Sequence, residues 1–210
     1  MKSSNFLLGL VLLVGFSCKP STENSSESVE LPILGERYVD DNQDTVYHKI
    51  ADFAFINQIG DTVSNSDVAG KIYVADFFFT SCPTICPIMK KEMLRVYEQY
   101  KDNPNFKILS HSIDPTFDTQ AVLKDYAEKL GVADVSTWNF LTGDQEKIFE
   151  IGQTSYLTTA MADQMEPGGF LHSGAFLLID GEGRIRGVYN GTKSDQVDRL
   201  ISDIPKLLNK

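Results

Sequence analysis

The sequence predicts an α/β fold: a mixed sheet with helices on both faces and an N-terminal hairpin extension. Three observations predict it. An apolar, aromatic-rich run, Tyr73–Phe79, turns sharply into a segment where Ile85, Met89, Met93, Val96 and Tyr100 recur at three- and four-residue intervals. These are the marks of a buried strand feeding an amphipathic helix. Strand-type and helix-type segments then alternate down the chain, as in a layered α/β domain. Finally, two strand-type runs, Ala175–Ile179 and Ile185–Tyr189, join through a tight turn and precede an amphipathic helix over Ser194–Leu208.

In order, the chain opens on an export signal over residues 1–18. Lys2 supplies its positive end, Phe6–Phe16 its apolar run, and Ser17-Cys18 follows at once. The run is too short to span a membrane. A cysteine directly after it resembles the lipobox of bacterial lipoproteins, where the cysteine is lipidated and becomes residue one. Gly15 and Phe16 stand where leucine and a small residue are usual. Lipidation of Cys18 would leave Cys82 and Cys86 as the thiols of the mature chain, in an oxidising compartment. Residues 19–45 read as a flexible tether, richest in Ser, Thr, Glu and Asn over 19–29. The folded domain is expected over 46–210, with an edge strand near Val46–Ile50 that carries His48 as an ordinary surface residue.

Phe53–Val63, FAFINQIGDTV, alternates about a Gly-Asp turn, a hairpin signal. Gly70 punctuates before the Tyr73–Phe79 strand. The helix after the cysteines is predicted from Pro83 to residues 101–103, with Pro104 as its stop. Phe106–Ile113 alternates as a strand holding His111 in a structural or surface role, and Asp114-Pro115 ends it. Asp118 or Thr119 caps a helix to Leu130, with Gly131 just beyond its end. A turn-and-cap role accounts for Asp114 and Asp118 without invoking paired-carboxylate chemistry. Trp138–Leu141 is a short strand, and Asp144 caps a helix from Gln145 to about Ile151. Thr154–Leu171 is irregular and long enough to suggest function. Met161 and Met165 within it read as packing residues, with soft thioether contacts as the alternative. Strand, helix, strand, helix, hairpin and helix is the thioredoxin-like order, and residues 144–171 are an addition to it.

At 210 residues with 42% hydrophobic content, the chain can bury one good core. A net charge of −10 lacks the basic footprint of a nucleic-acid partner. The acidity serves solubility.

The chemistry concentrates in Cys82-Pro83-Thr84-Ile85-Cys86-Pro87. Pro83 fits a helix opening, where its missing N–H has no intrahelical partner to lose. The free N–H groups and positive dipole end of a helix start stabilise a thiolate, so at least one cysteine should have a lowered pKa. Four residues make one helical turn, which lets both sulfurs share a face. That spacing accommodates a soft metal ion or, with small adjustment, a disulfide. Two Cys-Pro pairs at a strand-to-helix turn are a poor way to fill a core.

His172 is the candidate third ligand. It ends the irregular stretch just before the strand Ala175–Ile179, and in thioredoxin-like topology the loop entering that strand lies beside the thiol-bearing helix. Two thiolates and an imidazole suit copper: sulfur favours the cuprous ion, and histidine helps accommodate the cupric one. Structural zinc normally takes four protein ligands, and no fourth is evident. By itself, a lone histidine in that place is ordinarily structural.

This constellation resembles the Sco/SenC family of copper-binding proteins for cytochrome c oxidase assembly. The likeness is carried by FFFTSCPTICP (Phe77–Pro87), SIDPTFDT (Ser112–Thr119), WNFLTG (Trp138–Gly143) and LHSGAFLLID (Leu171–Asp180), and it runs from about Phe53 to the C-terminus. The resemblance implies a thioredoxin-like domain that is exported or membrane-anchored. It implies one copper on Cys82, Cys86 and His172, and a role in building the dinuclear copper centre of oxidase subunit II. Many members carry an acidic residue directly before the histidine, where this chain has Leu171. That leaves a supporting carboxylate absent or supplied by Glu166. The lipoprotein-like start takes the place of the membrane helix of many relatives and implies an envelope protein anchored by lipid, facing the periplasm or exterior.

Two functions follow. One is a chaperone that hands copper to apo-oxidase by ligand exchange. The other is a thiol–disulfide oxidoreductase that keeps the acceptor's cysteines reduced. Three residues between the cysteines, where redox members of this fold generally have two, and the presence of His172 favour copper. A peroxidase is the weaker third possibility, since this chain shows no Thr-x-x-Cys-type peroxide site with a matching arginine.

Overall fold

A computed structural model describes residues 30–132 and 134–208. The export signal, Cys18 and tether residues 19–29 lie outside the described residues. Two small antiparallel hairpins come first: β1 (Arg37–Val39) with β2 (Thr45–Tyr47), then β3 (Ala54–Ile56) with β4 (Thr62–Ser64). One helical turn, α1 (Asn65–Val68), leads into β5 (Ile72–Phe78). There follow α2 (Cys86–Tyr100), β6 (Phe106–Ser112), α3 (Gln120–Lys129), β7 (Trp138–Leu141) and α4 (Gln145–Glu150), which runs into a π-helical turn over Ile151–Ser155. A third hairpin pairs β8 (Ala160–Ala162) with β9 (Phe170–His172). β10 (Ala175–Ile179), β11 (Ile185–Asn190), α5 (Ser194–Asp203) and α6 (Pro205–Leu208) complete the chain.

The central sheet has the order β11-β10-β5-β6-β7. β5, β6 and β7 run parallel, and β10 is antiparallel to both β5 and β11. β5 is buried along its whole length, so its alternate side chains feed both layers. On one face Phe78 meets Lys90 of α2 and Tyr126 of α3, while Tyr100 of α2 donates to the Ile201 carbonyl of α5 at 2.7 Å. On the other face Phe77 packs on Tyr156, and a side chain at Gly152 of the π-helical turn would strike Phe77. Helices thus cover both faces, and the arrangement is thioredoxin-like. Phe77, Phe78, Trp138 and Phe140 are essentially inaccessible, each contributing about 1.5–3 kcal/mol by burial.

The predicted hairpin at Phe53–Val63 is β3–β4. Its turn closes with the Asn57 carbonyl accepting from Gly60, whose φ of +95° needs glycine. The tether expected over residues 19–45 ends earlier than that: Leu34 donates to the Ile185 carbonyl at 2.8 Å, and β1 lies inside the same span. Arg186 explains this, since its buried guanidinium donates to the carbonyls of Leu31 and Pro32 and fastens residues that look unstructured alone.

The cysteine-bearing helix starts at Cys86, not at the predicted Pro83. Two prolines four residues apart cannot share one helix opening. Were the helix to begin at Pro83, the Pro87 ring would meet the carbonyl four residues back and lack its own intrahelical donor. Pro87 in the first turn removes both penalties and leaves Pro83 in the loop. The irregular stretch Thr154–Leu171 also differs from expectation, being π-helical turn and β8–β9 hairpin. The short Ala-Met-Ala strand carries little local strand signal.

Candidate metal centre

Three elements meet at the C-terminal end of β5. Cys82 sits in the loop after that strand, Cys86 opens α2, and His172 ends β9. Pairing of Ala160 with His172 and Ala162 with Phe170 sets Phe170 and His172 on one face of the hairpin. There Phe170 packs on Phe79 with ring centroids 5.2 Å apart, and Phe79 meets the His172 ring edge-on at 5.7 Å. Gly168, at φ +89°, lets the hairpin close down: a Cβ there would lie 2.7 Å from Phe79 and 3.4 Å from Pro83. The hairpin therefore delivers the imidazole to the sulfurs.

Nε2 of His172 lies 3.4 Å from Sγ of Cys86 and 4.0 Å from Sγ of Cys82. All three donor atoms fall within 4.8 Å of one another and could hold a metal ion. Cys82, Cys86 and His172 are 7%, 2% and 8% exposed, so the donor set is recessed but not sealed. The cysteines line one end of a groove of about 370 Å³ between α2 and α3, walled by Leu94, Tyr126 and Leu130.

The two thiols differ. Burial pushes Cys82 up, but the N–H groups of Thr84 and Cys86 and the Thr84 hydroxyl outweigh it and hold that thiol below its ordinary value. Burial dominates at Cys86 and drives its thiol far up, against a smaller pull from the Phe79 backbone and Lys90. The lowered thiol that a helix start predicts is therefore the one preceding the helix, Cys82. Burial lowers His172 against the Ser173 carbonyl, which lies 3.3 Å from Nδ1. A neutral imidazole with Nε2 toward the sulfurs is the form that binds metal.

The structure does not assemble the other candidates here. Met161 and Met165 do not pack as predicted, being 43% and 91% exposed. Met161 pairs with Leu171 on the hairpin face opposite His172. Glu166 is exposed at the hairpin tip, where its N–H bonds the Asp163 carbonyl, while the Ser173 carbonyl sits at Nδ1 of His172. His48 is half-buried rather than a free surface residue, with Nε2 2.7 Å from the Ser155 carbonyl. His111 is structural and fully buried, stacked on Phe77 at 5.0 Å.

Two features escaped sequence reading. Lys90, one turn after Cys86, forms a buried ion pair with Asp76 at 2.8 Å; Ser110 accepts from the same ammonium at 3.2 Å. The second is that Asp118 accepts from Thr80 and Ser112; of the two cap candidates for α3, Thr119 is the one used, accepting from the Val122 N–H at 3.4 Å. A lysine within an apolar helix face and an aspartate inside a strand are the signals that could have flagged the first.

The sequence model of the SCO1/SenC family matches residues 41–209. The chain is 32% identical over 164 residues to the SCO1 protein homolog of Bacillus subtilis, covering 77% of this chain and 84% of that one. Its structure is similar to that of a SCO1/SenC family lipoprotein from Bacillus anthracis, with TM-score 0.69 and 32% identity over 77% of this chain and 95% of that one. It is also similar to copper-bound ScoI of Bradyrhizobium japonicum, with TM-score 0.62 and 25% identity over 75% and 98%.

Proposed function

Since the chain belongs to the SCO1/SenC family, we propose that it is a copper-binding chaperone assisting assembly of a cytochrome c oxidase copper centre. Cys82, Cys86 and His172 take one copper ion as cargo, and the acceptor is oxidase subunit II or a related apo-protein. The observation that carries this reading is the convergence of two sulfurs and one imidazole nitrogen, from three separate elements, within 4.8 Å. Two soft donors and one borderline donor suit copper in either oxidation state.

Three ligands leave room for a fourth, so an incoming acceptor thiolate adds before any resident ligand leaves. Cys82 leaves first, because its hydrogen-bonded thiolate is the more stable free ion. Cys86 leaves last and takes up a proton, because burial disfavours its thiolate. One equivalent of copper added to the reduced protein should give one bound ion per chain and a sulfur-to-copper charge-transfer band. A chain that binds no copper would sink this reading.

The opposed thiol shifts favour a second reading, a thiol–disulfide reductase. The Cys82 thiolate attacks an acceptor disulfide, forming a mixed disulfide and releasing one acceptor thiolate, which takes a proton. Cys86 then loses its proton and attacks Cys82, releasing the second acceptor thiol. The acceptor gains two electrons and this chain is left with a Cys82–Cys86 disulfide, to be reduced by an external dithiol. Reduction of a disulfide substrate by the metal-free protein tests it.

For location, lipidation at Cys18 would anchor the domain in the cell envelope, facing the periplasm or exterior. Among the described residues no helix is long and apolar enough to cross a membrane. Loss of membrane association in Cys18→Ala is the expected result.

A further inference from the structure

Two of the three donors are held by secondary structure: Cys86 by α2 and His172 by β9. Cys82 has no such support. It lies in the loop between β5 and α2, and its N–H makes a long bond, 3.3 Å, to the Phe79 carbonyl. The firmer tie comes two residues earlier, from a segment to which sequence reading gave only a turn-and-cap role.

Asp118 is fully buried. Its Oδ2 accepts the Thr80 N–H at 3.0 Å and the Ser112 hydroxyl at 2.5 Å, and its Oδ1 accepts the Thr80 hydroxyl. None of the ion pairs among the described residues includes it. A buried carboxylate without a countercharge persists only where hydrogen bonds meet its oxygens. Two of those bonds come from the loop that carries Cys82, so acid and loop fix each other. An aspartate serving α3 would accept from that helix, which is what Thr119 does instead.

We propose that Asp118 is a positioning residue of the metal centre: by holding Thr80 through two hydrogen bonds it sets where the Cys82 sulfur stands relative to Cys86 and His172. Ser112 holds Asp118 in that pose from the end of β6. The purpose of the device rests on the copper reading above, but the placement of Cys82 is measurable without metal.

The test uses the reduced, metal-free protein. Alkylation rates of Cys82 and Cys86 by iodoacetamide are followed separately by peptide mass mapping, alongside thermal midpoints. Asp118→Asn keeps the side-chain shape but sets an amide NH2 among donors. Cys82 should then alkylate faster by up to about tenfold, a factor equivalent to ~1.4 kcal/mol, with Cys86 unchanged. The copper-loaded variant should show a displaced sulfur-to-copper band. Thr80→Val removes only the hydroxyl donor and should give a smaller change in the same direction, while Thr80→Ser should restore the wild-type rate. Val197→Ala, a buried change in α5, lowers stability elsewhere and should leave the rate ratio alone. If Asp118→Asn and Thr80→Val lower the thermal midpoint while the Cys82-to-Cys86 rate ratio stays at its wild-type value, Asp118 is structural only and the inference falls. Should Asp118→Asn not fold, the comparison of Thr80→Val with Thr80→Ser decides alone. A wild type that takes no copper would remove the chaperone reading and leave the alkylation result to judge this one.

Discussion

Nε2 of His172 stands 3.4 Å from Sγ of Cys86 although 86 residues separate them in sequence. The β8–β9 hairpin makes that contact, and the chaperone reading requires it to be a ligand relationship rather than a packing one. His172→Ala should bleach the cupric charge-transfer band, leave both thiols titratable and weaken copper binding. Changes behind a metal ligand typically cost about 10–100-fold in affinity, so losing the ligand should exceed about 100-fold. A variant that keeps wild-type band and affinity would show the imidazole is not bound.

Copper uptake should release protons, and the thiol shifts give the sign. Cys86, pushed far up by burial, enters as the neutral thiol near neutral pH and must lose its proton to ligate. His172, lowered by burial, is already neutral there and contributes none. Affinity should therefore climb with pH, by about tenfold per unit for each proton displaced. A pH indicator in weakly buffered solution should record at least one proton per copper near pH 7; zero would argue against Cys86 as a ligand.

His111 predicts an acid-sensitive core. Both its ring nitrogens lack a hydrogen-bond partner among the described residues, and burial alone pushes its pKa down to about 3 from 6.5. The unfolded chain binds the proton first, so this group leaves stability intact above pH 6.5 and erodes it as pH falls from 6.5 toward 3. At pH 5 the loss is ~2 kcal/mol, from ~1.4 kcal/mol per pH unit. His111→Phe extends the ring cluster of Phe53, Phe55, Phe77 and Tyr156 and leaves no polar atom stranded. Urea unfolding at pH 7.5 and pH 5 should show a smaller drop in the variant. Equal drops would clear His111 of the effect.

The same histidine marks where sequence reading reached its limit. Strand–turn–helix at the cysteines was legible because hydrophobic period, proline placement and thiol spacing are local signals. His172 was legible as a candidate because it abuts a buried strand, yet its contact with the sulfurs depends on a hairpin that short Ala and Met residues do not announce. The helix start at Cys86 is not legible, because Pro83 and Pro87 each fit an opening and only the steric conflict between them selects the second. Asp118 was read from its neighbours, while its partner Thr80 lies 38 residues away. No periodicity carries that pairing.

Gly168→Ala should loosen the centre without touching a ligand. The residue is in the left-handed region, at φ +89°, and an added Cβ would lie 2.7 Å from Phe79. The hairpin must lift, carrying His172 from the sulfurs. Backbone strain of this kind costs about 1–3 kcal/mol, so the thermal midpoint should fall moderately while copper affinity falls about tenfold or more. Unaltered copper binding would mean the hairpin does not set the imidazole position.

The Lys90–Asp76 pair yields a sharper test because charge and fold can be separated. Both side chains are essentially inaccessible, and the ammonium sits 3.9 Å over the Phe78 ring. Removing one partner strands the other in a low-dielectric interior, which costs about 3–5 kcal/mol, whereas replacing both with apolar groups is often neutral. Lys90→Met should therefore destabilise strongly. Lys90→Met with Asp76→Leu should recover most of that loss, short of the hydrogen bond that Ser110 makes to Asp76. In the double variant the field that Lys90 casts on Cys86 and Asp76 casts on His172 is gone. If its stability returns while its copper affinity or Cys86 alkylation rate does not, the pair serves the metal centre. If all three return, it is a packing element, and the centre depends on its ligands and their loops alone.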